Sequence, residues 1–133
     1  MRLRTVLPRL LLGLGLLVPI SVMATSLPQA KGKFYELSIE SRLSPIMLNQ
    51  IHGWELVLRD AQGDLVPNAV ITVNGGMPEH QHGLPTAPRV TEVLGPGRYL
   101  LEGVKFQMPG RWVMQFRIEA GKATETLTLG LDL

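Results

Sequence analysis

From Phe34 onward the chain alternates apolar and polar residues in short runs, and glycine and proline punctuate the runs. The stretch HGWELVLRD sets Trp54, Leu56 and Leu58 on one side against Glu55, Val57 and Arg59 on the other. That period of two predicts a half-buried strand. RWVMQFRIEA does the same with Trp112, Met114, Phe116 and Ile118, and ATETLTLGLDL with Leu127, Leu129 and Leu131. FYELSIE, NAVITVNG, RVTEVL and RYLLEGVKF complete a set of about seven strands, and no stretch carries a helical stripe. DAQGD, GPG and QMPG read as turns. With 14 glycines and 10 prolines as punctuation, the pattern predicts an all-β fold, an immunoglobulin-like β-sandwich. A closed barrel is the alternative that periodicity leaves open.

The first residues have a different layout. Arg2, Arg4 and Arg9 precede an apolar run from Leu10 to Met23, and Val22 and Ala24 then offer small residues for cleavage before Thr25. This predicts a secretory signal peptide over 1–24. A membrane anchor is the rival, but the run is short of the roughly 20 apolar residues of a spanning helix and contains Pro19. Residues 25–33 read as a flexible lead-in and 34–133 as one domain.

The leader changes the charge balance. Its three arginines account for the excess of 13 basic over 11 acidic residues, so the remainder carries 10 against 11. A net of −1 leaves no basic stripe to neutralise phosphates, and nucleic acid is not expected as a partner. There is no cysteine. An exported domain of this kind relies on its core for stability, and any metal site must use His, Met, Asp or Glu.

The candidate chemistry lies in the longest loop, NGGMPEHQHGLPTAP, which carries Met77, His80 and His82. Met108 sits in the QMPG turn, and His52 opens the Trp54 strand. Met114 falls between Trp112 and Phe116 and is expected in the core. If consecutive strands run antiparallel, His52, Met77, His80, His82 and Met108 all emerge at one pole. Thioether sulfur is soft and favours Cu(I), and imidazole accepts either copper oxidation state. A thiolate-free His/Met set in an exported protein therefore points to copper over zinc. The competing reading is plain loop chemistry, with incidental histidines and Met77 as a hydrophobic plug. Catalysis is not expected. There is no cysteine nucleophile, Ser26, Ser38, Ser41 and Ser44 lie in no nucleophile-elbow pattern, and no strand–turn–helix phosphate loop is present.

Several motifs occur together: Met77-Pro78, His80-Gln81-His82, Gly97-Arg98-Tyr99 and the run from Phe106 to Trp112. In this combination, over about Leu65 to Glu119, the chain resembles the YtkA-like domain, a group related to the FixH family of small exported or membrane-anchored bacterial β-sandwich proteins. The resemblance implies an immunoglobulin-like fold and an association with copper handling or cytochrome oxidase assembly, with copper and another periplasmic or inner-membrane protein as partners. FixH-type proteins have a firm N-terminal anchor, whereas this leader reads as cleavable. Two functions follow as expectations: a periplasmic copper-binding module, or a non-metal interaction module of a membrane-associated complex.

Overall fold

Alternation decides which face of each strand is buried, and two such faces together make the core. The computed structural model describes residues 27–121 and 123–133. The expected signal peptide lies outside the described residues. Nine strands form two antiparallel sheets: β1 (Ala30–Lys31), β2 (Tyr35–Ser41), β3 (His52–Asp60), β4 (Val70–Met77), β5 (His82–Gly83), β6 (Arg89–Gly95), β7 (Arg98–Val104), β8 (Arg111–Ala120) and β9 (Ala123–Asp132). One sheet has the order β1-β2-β3-β7-β6 and the other β5-β4-β8-β9. The result is the expected all-β sandwich, with no α-helix among the described residues.

The sequence pattern predicts about seven strands, and the described residues contain nine. The two additions, β1 and β5, are two residues each, too short to display an alternation. Strand β1 lies inside the segment expected to be a flexible lead-in. There Ala30 is fully buried, Ala30 and Lys31 pair with Leu37 and Glu36, and the Leu27 N–H donates to the Ile39 carbonyl.

The inward faces match the pattern. Trp54, Leu56 and Leu58 from β3 meet Trp112, Met114, Phe116 and Ile118 from β8, all fully buried, with Leu127, Leu129 and Leu131 of β9 beside them. Burial of each large apolar side chain stabilises the fold by roughly 1.5–3 kcal/mol. Pairing registers fix the ends. His52 lies opposite Val104, Met77 opposite His82, and Arg111 opposite Asp132. One pole therefore gathers the start of β3, the end of β4, the end of β7 and the start of β8.

The opposite pole is closed by hydrogen bonds between sheets. The Tyr35 hydroxyl reaches the carbonyls of Ala120 and Ala123, both at 3.1 Å. The Tyr99 hydroxyl donates to the Val66 carbonyl at 2.8 Å and accepts from the Ala69 N–H at 3.0 Å. Glu125 of β9 accepts three main-chain N–H groups, from Lys33, Phe34 and Tyr35.

Candidate metal centre

Two glycines let the His-x-His loop form. A Cβ on Gly75 would lie 2.5 Å from the Met114 sulfur, and one on Gly76 would lie 2.5 Å from the His82 carbonyl oxygen. Without side chains there, β4 passes over the core and β5 folds back to pair Gly76 with Gly83 and Met77 with His82. Between them Pro78–His80 makes a 3-10 turn, and Gln81 reverses the chain in the left-handed region at φ 52°. The histidines thus sit on a tight hairpin and not on an extended segment. His80 and His82 are both exposed, and their rings stack with centroids 6.5 Å apart and planes 28° from parallel.

Met77 behaves differently. It is 1% exposed and belongs to the core cluster. Its methyl group lies against Gly110, where an added Cβ would come within 2.6 Å of it. Ile71, Val73, Gly75 and Met77 share one parity along β4, so the inward direction of Met77 was readable from alternation.

Met108 is half-buried and packs against the same core. Its carbonyl accepts the Trp112 indole N–H at 3.0 Å. Neighbouring Gly110, at φ 128°, exchanges main-chain hydrogen bonds with Leu133. Gln107 joins this turn to the histidine hairpin through Nε2, which donates to the Gly83 carbonyl at 3.3 Å. The two loops are therefore joined through the Gln107 side chain.

His52, the first residue of β3, is 9% exposed. Its ring centroid stands 6.1 Å from those of both Trp54 and Phe106. Nδ1 lies 3.0 Å from the Gln50 carbonyl, while Nε2 is buried without a hydrogen-bond partner among the described residues. Sequence reasoning placed His52 at this pole but could not foresee the orphaned nitrogen, which depends on side-chain packing.

All five candidates thus share one pole at three depths: His80 and His82 outside, Met108 at the boundary, Met77 and His52 inside. Among the described residues, no group of three or more His, Cys, Asp or Glu side chains comes together as a metal cage. The donor set still fits a soft ion. With metal–nitrogen bonds of about 2.0–2.1 Å, two imidazoles on one ion hold their centroids roughly 5–6 Å apart. The two exposed rings stand at 6.5 Å, just beyond that spacing. Glu79, also exposed, lies on the same turn.

Comparison with curated proteins returns no match. Residues 35–117 match the family model described as YtkA-like, a span that runs from β2 through most of β8 and includes every candidate ligand, and on that match the chain belongs to the YtkA-like family.

Proposed function

We propose that this protein is an exported, periplasmic copper-binding module that holds or passes on a single ion, with Met77, His80, His82, Met108 and His52 as its ligand set. It acts as a carrier in copper delivery or oxidase assembly, not as an enzyme. The observation that carries this reading is the stacked pair of exposed imidazoles on a hairpin that Gln107 fastens to the Met108 turn. Imidazole and thioether together suit Cu(I), and the set contains no thiolate or bound carboxylate to favour zinc. Met77 is the innermost of the set, with its methyl group against Gly110.

The test is competition for Cu(I) against a chromophoric chelator. The wild type is expected to take one ion per chain, and the His80→Ala/His82→Ala double variant to lose most of that affinity. Equal competition by both proteins, or no uptake by the wild type, rejects the reading.

A second reading, a non-metal interaction module, draws support from exposed apolar residues at the same pole. Met47 is 54% exposed, Leu48 39% and Ile51 63%. It predicts a partner whose capture survives chelation and the loss of both loop histidines.

A further inference from the structure

His52 has the arrangement of a metal-binding imidazole prepared in advance. A carbonyl oxygen can only accept, so the 3.0 Å contact between Nδ1 and the Gln50 carbonyl places the ring proton on Nδ1. Nε2 is then left with its lone pair, buried and unpaired among the described residues. An unmet acceptor in such a place is costly to keep buried. Fixing the far nitrogen to a backbone carbonyl is how proteins commonly set the tautomer and direction of a ligating histidine.

The surroundings supply soft partners. The loop before β3 carries Met47, which is 54% exposed. In that loop Asn49 adopts a left-handed conformation at φ 62° and donates its N–H to the Phe106 carbonyl at 2.7 Å. Phe106 in turn sets its ring against His52 and leads, two residues on, to Met108. The loop that carries Met47 and the segment that leads to Met108 are therefore joined at Phe106, whose ring stands 6.1 Å from that of His52.

Resting on the reading that this pole takes Cu(I), we propose that His52 Nε2 is the anchoring ligand and that the thioethers of Met47 and Met108 give the ion soft donors beside it. His80 and His82 close the same site from the outer side of the pole. A neutral set of imidazoles and thioethers favours a monovalent soft ion over Zn(II), because it offers no anionic ligand to offset a second charge.

The test uses Ag(I), a closed-shell monovalent ion of the same softness, on the full domain. Nitrogen-15 NMR of the histidine side chains and carbon-13 NMR of the methionine methyls follow the titration. One equivalent is expected to shift His52 Nε2 and the methyls of Met47 and Met108, while Zn(II) does not. His52→Gln, Met47→Leu and Met108→Leu are each expected to weaken Cu(I) binding by about tenfold or more. The spectra of the wild type answer the question even if His52→Gln folds poorly. If the ion binds but shifts only His80 and His82, the His52 site is overturned and the copper reading stands. If neither Cu(I) nor Ag(I) binds the wild type, both are overturned.

Discussion

Replacement of Glu125 tests whether one carboxylate ties the first strands to the opposite sheet. Oε1 accepts the Lys33 N–H at 2.6 Å, and Oε2 accepts the N–H groups of Phe34 and Tyr35 at 3.0 and 3.1 Å. Two of these bonds are exposed, so water replaces them and each contributes about 0.5 kcal/mol; the part-buried bond to Tyr35 contributes about 1.5 kcal/mol. Glu125→Ala is therefore expected to destabilise the domain by about 2.5 kcal/mol. For a domain of roughly 100 residues that lowers Tm by roughly 10 °C or somewhat more. Glu125→Gln should recover only part of the loss, since its amide presents a donor to at least one main-chain donor. Gly32 provides the control. A Cβ there would collide with the Glu125 carboxylate, so Gly32→Ala removes the same bonds from the other side. Thermal and urea unfolding followed by circular dichroism measures both variants and their combination. The double variant should cost little more than Glu125→Ala alone, as expected for residues acting through one interaction. A Glu125→Ala loss under about 0.5 kcal/mol, or simple additivity with Gly32→Ala, refutes the reasoning.

Tyr99→Phe removes the hydroxyl between the Val66 carbonyl and the Ala69 N–H, and is expected to cost about 1–2 kcal/mol in urea unfolding while leaving Cu(I) affinity unchanged. Gly76→Ala drives a methyl into the His82 carbonyl and should cost about 1–3 kcal/mol. Its specific sign is faster hydrogen exchange at the Leu84 amide, which bonds to the Gly75 carbonyl at 3.1 Å just beyond the hairpin.

Alternation was enough to identify the sandwich because each long strand has one wet and one dry face. Trp112, Met114, Phe116 and Ile118 announced the core face of β8, and all four are fully buried. Antiparallel order also carried far, delivering His52, the histidine hairpin and the Met108 turn to one pole. Strands β1 and β5 escaped because two residues form no period, and their positions are set by partners: Leu37 and Glu36 for one, Gly76 and Met77 for the other. The site was legible as a set of residues but not as a geometry. Spacing placed His80-Gln81-His82 in a loop, but the left-handed Gln81 that makes it a tight turn was not readable. The burial of Met77 was readable from its parity with Ile71 and Val73. The lone pair of His52 was not, because it depends on which ring nitrogen the Gln50 carbonyl engages.

The two poles of the sandwich satisfy their polar groups in opposite ways, and this asymmetry bears on function. At the Tyr35 end, buried or half-buried hydroxyls and main-chain donors find partners: Tyr35 with two carbonyls, Tyr99 with one donor and one acceptor, Glu125 with three N–H groups. At the His52 end, three buried side-chain atoms have none among the described residues: His52 Nε2, Trp54 Nε1 and Gln107 Oε1. Folded proteins pair nearly all such groups, since each unmet one costs about 1–3 kcal/mol. Three such atoms at one end distinguish that pole from the other. Two of the three, His52 Nε2 and Gln107 Oε1, are acceptors, and the third is an indole N–H. A bound cation uses the first kind and has no use for the third. Under the proposed copper reading, His52 is the residue through which loading is felt, and Trp54, whose ring stands 6.1 Å from that of His52, is placed to report it by fluorescence.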